Sequence, residues 1–243
     1  MIDFDKIELI ELDLTTMCNA RCPLCYRNTK SFSEKYKKPF YRSCDEIMKQ
    51  ISSFRNLKTV YLIGQLSEPT THPEFLKILA HSKGLNLKVK ICTNGDLHDD
   101  AFWGELCEIL FDEDQVWFTL CGSTQELHSH YRTNTSLERM LHHAEVLRSV
   151  RKVDCVKCIR FRYNREDVES RRFANIVKDF SKVEHLDTSA PHGRESYNDN
   201  FTYDDFLPVE DVFQEYRKID TMSKFYNSRD PGVYCQSVEE KSL

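Results

Sequence analysis

The sequence lacks the features that would place the chain in a membrane or mark it for export. No run of about 18 consecutive apolar residues occurs, so no membrane-spanning helix is predicted. The segment from Met1 to Lys6 has no basic stretch followed by an apolar one, so a secretory signal peptide is not expected. We therefore expect a cytoplasmic protein in a reducing compartment, where thiols persist.

An excess of positive charge is also missing. The formal net charge is −5 at pH 7, so the chain shows no electrostatic footprint of extended nucleic-acid binding. This argument does not exclude a nucleotide as a small substrate. Internal repeats and low-complexity segments are absent as well, so the sequence gives no indication of a repeat architecture.

Cysteine, in contrast, is abundant, with ten in the chain. Five lie in apolar-periodic segments and are expected to be small packing residues: Cys44, Cys92, Cys107, Cys155 and Cys158. Three others form a C-x3-C-x2-C array directly after an apolar run: Cys18, Cys22 and Cys25. Thiolates are the usual ligands of iron–sulfur clusters, so this array predicts an open cluster site. The alternatives are a zinc knuckle, although no nearby His completes a tetrahedron, or three cysteines without a common role.

Strand-like and helix-like segments alternate along the chain. We expect strands at 7–15, 58–63, 87–92, 116–120, 156–161 and 183–187, and the capping boxes Ser43–Glu46 and Thr135–Glu138 predict helix starts. We also expect helices near 72–82, 99–111 and 166–180. Such alternation predicts parallel strands joined by right-handed crossovers. The expected fold is α/β, a partial (β/α)6 TIM-like barrel over residues 1–190 with a short helical C-terminal extension over 191–243.

The cysteine array after the first strand resembles the hallmark of the radical S-adenosylmethionine (radical SAM) enzymes. The resemblance implies that Cys18, Cys22 and Cys25 bind a 4Fe–4S cluster, whose remaining iron chelates SAM. Leu24 stands where the family usually has an aromatic residue, and it still offers an apolar cover for the cluster.

The turn after the second strand also resembles a family motif. It runs from Gly64 to Glu68 and Pro69, and the resemblance implies that Gly64 and Glu68 belong to the SAM pocket. A carboxylate at Glu68 suits the SAM ammonium, because it accepts charge-assisted hydrogen bonds. Leu66 and Ser67 stand where many members have glycine, so Gly64 alone supplies a permissive backbone there.

The next two strand ends extend the resemblance. Thr93 and Asn94 begin a Thr-Asn-Gly turn that implies contacts to the SAM ribose or carboxylate. Thr119 keeps a hydroxyl where the family has Ser, and Arg132 is implied to pair with the SAM carboxylate through its planar guanidinium. Cys121 replaces the usual Asp and is either a small packing residue or a hydrogen-atom donor to a substrate radical.

The resemblance implies an enzyme that reductively cleaves SAM to a 5′-deoxyadenosyl radical, which abstracts hydrogen from a substrate. A flavodoxin or ferredoxin-like partner is implied as electron donor. We expect modification of a peptide or protein, with a nucleoside or other small molecule as the alternative. A third possibility, from a different class, is a non-catalytic iron–sulfur or zinc-binding protein, against which the SAM-pocket residues Glu68 and Arg132 argue.

Two segments outside these motifs carry further expectations. Segment 31–42 is basic and aromatic, and it is expected to be a solvated connection or a lid that contacts an acidic substrate. In the tail, a helix over Val209–Phe225 is expected to cover the open side of the barrel, and His192 and Arg194 are candidates for adenine or substrate contacts. Cys235 alone cannot hold a second cluster, so we expect one cluster per chain.

Overall fold

The computed structural model describes residues 4–25, 27, 36, 38–64, 67–187 and 233–234. The predicted tail helix Val209–Phe225 and the candidates His192, Arg194 and Cys235 lie outside these residues, and segment 31–42 lies partly outside them.

Six parallel strands form the centre of the structure and confirm the expected open α/β barrel. They are β1 Leu9–Leu12, β2 Thr59–Leu62, β3 Lys88–Thr93, β4 Gln115–Leu120, β5 Asp154–Arg160 and β6 Lys182–Asp187. Each pairs with the next in sequence, and the sheet order is β6-β5-β4-β3-β2-β1-β7. Because β1 and β6 lie apart in that order, the sheet does not close. The sequence did not predict β7, Val233–Tyr234, which pairs antiparallel with β1.

Seven α-helices are found among the described residues. They are α1 Cys44–Ser53, α2 Phe75–Gly84, α3 Asp100–Ile109, α4 Gln125–Tyr131, α5 Leu137–Val150, α6 Arg165–Val168 and α7 Arg171–Val177. Ser43 caps α1 by accepting a hydrogen bond from the Glu46 N–H, as its capping box predicts. In the described part of the chain, no helix has both the length and the apolar character needed to cross a membrane.

Two helix predictions are corrected by the structure. The cap of α5 is Ser136 and not Thr135, because the Thr135 hydroxyl donates to the Arg132 carbonyl and lies 3.1 Å from His128 Nε2. The single helix expected near 166–180 is two short ones, since Ser170 interrupts it and caps the second by accepting from the Phe173 N–H. Helix α4 was not predicted, because its seven residues are too few for a clear apolar period.

Side chains alternate strictly between the two faces of the sheet. One face packs against the helices, and its fully buried members include Ile10, Val60, Ile91, Phe118 and Val156. The opposite face carries Tyr61, Lys90, Trp117 and Lys157, which alternate with them along β2 to β5. The five predicted packing cysteines, Cys44, Cys92, Cys107, Cys155 and Cys158, are all buried, as expected.

A buried ion pair joins the end of α2 to the starts of β3 and β4. Lys83 Nζ donates to Asp114 Oδ1 at 2.9 Å and to the Leu87 carbonyl at 2.8 Å. The Asp114 carboxylate also accepts from the backbone N–H groups of Val89 and Phe111, both at 2.7 Å. Every charge in this group therefore has a partner, which buried charges require.

Replacing Lys83 with Ala should lower the free energy of unfolding by about 3–5 kcal/mol, because the buried Asp114 carboxylate would lose its cation. The matched control is Lys77→Ala, whose ion pair with Glu74 is exposed to solvent and should contribute far less to stability. Urea unfolding measures both changes. Equal losses in the two variants would contradict the assigned role of the buried pair.

Candidate functional site

The three-cysteine array forms a loop that leaves the carboxyl end of β1. Arg27 holds its two ends together, donating from Nε to the Thr16 carbonyl at 3.1 Å and from Nη1 to the Cys18 carbonyl at 3.4 Å. Within the loop, the Cys25 N–H donates to the Cys22 carbonyl at 3.0 Å. The carboxyl ends of parallel strands are where open and closed α/β barrels build their active sites, so the loop lies where a site is expected.

An amide network fixes the cysteine loop to the turn after β3. Asn94 Nδ2 donates to Asn19 Oδ1 at 2.8 Å and lies 3.8 Å from Cys18 Sγ. Asn19 Nδ2 in turn donates to Asp96 Oδ2 at 2.9 Å. No role was predicted for Asn19 or Asp96, although both lie beside predicted motifs. Their roles depend on a contact between segments 77 residues apart, which no local pattern reports.

Glu68 is buried at the centre of the site. Its Oε1 accepts from the Thr93 hydroxyl at 2.8 Å and from the hydroxyl and N–H of Thr70, while Oε2 accepts from the Asn94 N–H at 2.7 Å. Burial raises the pKa of this carboxyl, and the four hydrogen bonds offset only part of that effect. Its partners are uncharged and Oε2 has only one donor, so the carboxylate retains acceptor capacity for a cation.

Arg132, at the end of α4, lies against the cysteine loop. Its Nη1 is 3.7 Å from Cys22 Sγ, and its guanidinium also reaches the Cys121 thiol. Burial alone would lower the pKa of Arg132, but Cys22, Cys121 and Tyr131 together raise it well above its usual value. Its Nε atom is buried and finds no acceptor among the described residues, which leaves one donor for a ligand.

The remaining predicted pocket residues form the connections between strand ends. Gly64 has a φ of 61°, and a Cβ there would lie 2.5 Å from the Ser67 carbonyl oxygen, so only glycine fits this turn. Thr119 donates its hydroxyl to the Thr93 carbonyl at 3.3 Å and ties β4 to β3. Cys121 is fully buried beside Leu24, which favours its interpretation as a packing residue.

The donor set fits an iron–sulfur cluster better than a single metal ion. Burial raises the pKa of Cys18 to about 12, and it also raises the pKa of Cys25, so both sulfurs need a metal in order to be thiolates. Within the described ranges, no three Cys, His, Asp or Glu side chains converge tightly enough for one ion. A zinc knuckle requires that convergence, whereas each cysteine of a cluster binds its own iron.

An open parallel α/β barrel with a three-cysteine loop at its carboxyl edge defines a class of cofactor-dependent enzymes. Residues 12–174 match the model of the radical SAM superfamily, and the chain belongs to that superfamily. It is therefore an enzyme of a family that uses a 4Fe–4S cluster and SAM.

Individual relatives resemble the chain over part of their length. The tungsten-containing aldehyde ferredoxin oxidoreductase cofactor-modifying protein of Pyrococcus furiosus is 29% identical over 114 residues, which are 47% of this chain and 31% of that protein. Streptococcus suis SuiB bound to S-adenosylmethionine superposes with a TM-score of 0.62 at 14% identity, covering 92% of this chain and 48% of SuiB. The structure of anSMEcpe with bound AdoMet superposes with a TM-score of 0.59 at 18% identity, covering 78% of this chain and 55% of anSMEcpe. The chain thus spans about a third to a half of these proteins.

His128 is a buried neutral imidazole behind the site. Its Nδ1 accepts from the Cys121 N–H at 3.5 Å, and its Nε2 lies 3.1 Å from the Thr135 hydroxyl. Burial, together with the positive charge of Arg132, lowers the pKa of His128 to about 3. Protonation of this ring to the imidazolium is therefore disfavoured in the folded state but not in the unfolded chain.

Because the folded pKa of His128 is below the unfolded value, its contribution to stability is complete above about pH 6.5 and is lost as the pH falls toward 3. We expect the free energy of unfolding to fall by about 2 kcal/mol from this residue alone between pH 7 and pH 5. Chemical unfolding at several pH values should show a shallower slope for His128→Gln, whereas exposed His185→Gln should keep the wild-type slope. Identical slopes in all three proteins would contradict the assignment.

Proposed function

We propose that this enzyme reductively cleaves SAM at one 4Fe–4S cluster bound by Cys18, Cys22 and Cys25, and uses the resulting radical to modify a peptide or protein. The observation that carries the proposal is the contact of Asn94 and Arg132 with two of these cysteines at one edge of the sheet. A non-catalytic metal module would not need the buried acceptor and donor found at Glu68 and Arg132.

When bound, the cluster would supply the electron for reductive cleavage of SAM to methionine and a 5′-deoxyadenosyl radical, and this radical would take a hydrogen atom from the substrate to give 5′-deoxyadenosine. In the proposed pocket, Glu68 Oε2 accepts from the SAM ammonium and Arg132 donates from its free Nε to the carboxylate. Gly64 lets the backbone approach the ligand closely. Thr93, Asn94 and Thr119 hold these strand ends in place, and Thr93 or Asn94 is proposed to contact the SAM ribose or carboxylate.

Peptide modification is supported by two neighbours in fold. SuiB is known bound to its precursor peptide SuiA, and anSMEcpe is known with a bound peptide. Modification of a small molecule is the second candidate, because the Pyrococcus furiosus relative is a cofactor-modifying protein. A flavodoxin or ferredoxin-like donor is proposed to supply the electron.

The organisation of the chain and its location belong to the same proposal. The barrel core comprises residues 1–190, and residues 191–243 form an extension that contributes β7 to the sheet edge. The nine cysteines of the described residues are all free, which supports a reducing, cytoplasmic environment.

Anaerobic reconstitution should give about four irons per chain, because one cluster is bound. Incubation with dithionite and SAM should then yield 5′-deoxyadenosine, measured by chromatography. Simultaneous replacement of Cys18, Cys22 and Cys25 by Ala should abolish iron binding and 5′-deoxyadenosine formation. The control Cys44→Ala, on α1, should retain iron binding and product formation. A triple variant that retains iron would refute the cluster assignment, and about eight irons in the wild-type protein would refute the single cluster.

Arg132→Ala should weaken SAM binding by about 1.5–3 kcal/mol, roughly 10- to 150-fold in Kd, because a charge-assisted hydrogen bond is lost. Glu68→Gln should also weaken binding, since the amide keeps much of the shape but not the charge. Calorimetry on reconstituted protein measures the affinity, and iron analysis checks that the cluster remains. Arg165→Ala, on the exposed side of α6, is the control. Unchanged affinity in both site variants would exclude this pocket.

A further inference from the structure

The face of the sheet opposite the helices carries a group of lysines around one tryptophan. Trp117 on β4 is fully buried, and its Nε1 donates to Gln115 Oε1 at 3.0 Å, which fixes the orientation of the ring. Lys90 of β3, Lys157 of β5 and Lys182 of β6 lie over that ring, with their Nζ atoms 4.7, 5.3 and 5.1 Å from its centroid. We call these three residues the lysine cluster.

The positive charges of the lysine cluster are not balanced by salt bridges. Among the described residues, no salt bridge joins any of the three to an acidic side chain. Burial, Lys157 and Lys182 lower the pKa of Lys90, whereas Glu184, in register with Lys157, offsets part of this effect. Glu11 lies on the same face but on β1, and β2 with Tyr61 separates it from Lys90 on β3. Attraction to the ring face offsets part of this repulsion but leaves the ammonium N–H groups without a charged acceptor, so an anion would stabilise the cluster further.

The lysine cluster adjoins the proposed cofactor pocket. Cys92, in register with Trp117, is one residue before Thr93 and lies on the same face as the lysines. Four charged groups act on its thiol together, namely Lys157, Lys90, Glu68 and Arg132. Cys92 therefore lies between the lysine cluster and the residues at the carboxyl edge of the sheet.

We infer that the lysine cluster binds a carboxylate of an acidic peptide substrate and so positions that peptide next to the cofactor pocket. This inference rests on the proposed function and adds the substrate class to it. Three ammonium groups provide several donors, and hydrogen bonds to an ionised acceptor are the strong ones. A merely structural role, in which lysine stems cover the ring, would require no anion.

The test uses the reconstituted holoenzyme with SAM and two probes, a blocked tetraglutamate and a blocked tetraglutamine. We expect a Kd at least about tenfold lower for tetraglutamate, measured by calorimetry at fixed salt, because charge-assisted bonds are formed to it alone. This preference should fall about fivefold or more in Lys157→Gln and in Lys182→Gln, each a removal of one nearby cation. The control is Lys152→Gln, on the exposed turn before β5. It also removes one positive charge, but the preference for tetraglutamate should remain.

Thermal unfolding checks that each variant is folded. Because Lys182 is exposed, Lys182→Gln should not disturb the fold. Equal binding of the two peptides, or an equal loss in the Lys152 control, would overturn the inference. Tighter binding of adenosine monophosphate than of tetraglutamate would assign the cluster to a nucleotide phosphate and overturn it as well. If SAM is cleaved but tetraglutamate and tetraglutamine bind equally, the proposed function stands and only this inference fails. If tetraglutamate is preferred but SAM is not cleaved, the proposed function fails instead.

Discussion

The arrangement of the site depends on the burial of the Glu68 carboxylate among hydroxyl and N–H donors. Its backbone N–H donates to the Met17 carbonyl at 2.7 Å, just before the first cysteine, while its side chain accepts from Thr93 and Asn94 after β3. Three strand ends are therefore held in one place by one residue. A carboxylate so deeply buried is costly unless its oxygens are hydrogen-bonded, so the donors must keep their positions, and the cysteine loop keeps its position with them.

The charged groups around the cysteine loop are distributed unequally. Arg27 and Arg132 bring positive charge to the backbone and sulfurs of the loop, whereas Glu68 is the acidic group beside Cys18. This distribution of charge supports the proposal that the site binds a ligand with both an ammonium and a carboxylate, since each end would meet the opposite charge. The two ends of the methionyl part of SAM have these charges, so the proposed orientation of the cofactor follows from the electrostatics of the pocket as well as from the family.

The lysine cluster and the residues of the proposed cofactor pocket come from different parts of the same strands. The residues of the proposed pocket lie in the loops beyond the strands, where backbone groups and short polar side chains are available for binding. The lysine cluster lies within the strands, where side-chain alternation directs Lys90 and Lys157 to the face without the apolar core. Because β3, β4, β5 and β6 are consecutive in the sheet, Lys90, Lys157 and Lys182 come together around the ring of Trp117.

The sequence by itself determined the six strands, their parallel order, most of the helices and the cysteine array, because apolar periodicity, capping residues and motif spacing are local properties. It identified Glu68, Asn94 and Arg132 only through resemblance to a family, and the cofactor roles of these residues stay predictions. Only the tertiary structure decided that Asn19 and Asp96 brace the loop, that Ser136 rather than Thr135 caps α5, and that three lysines share one tryptophan. The bracing contacts and the lysine cluster join segments that are distant in sequence, so no local pattern shows them. The cap is decided by the contact of Thr135 with His128 on the preceding helix, which occupies its side chain.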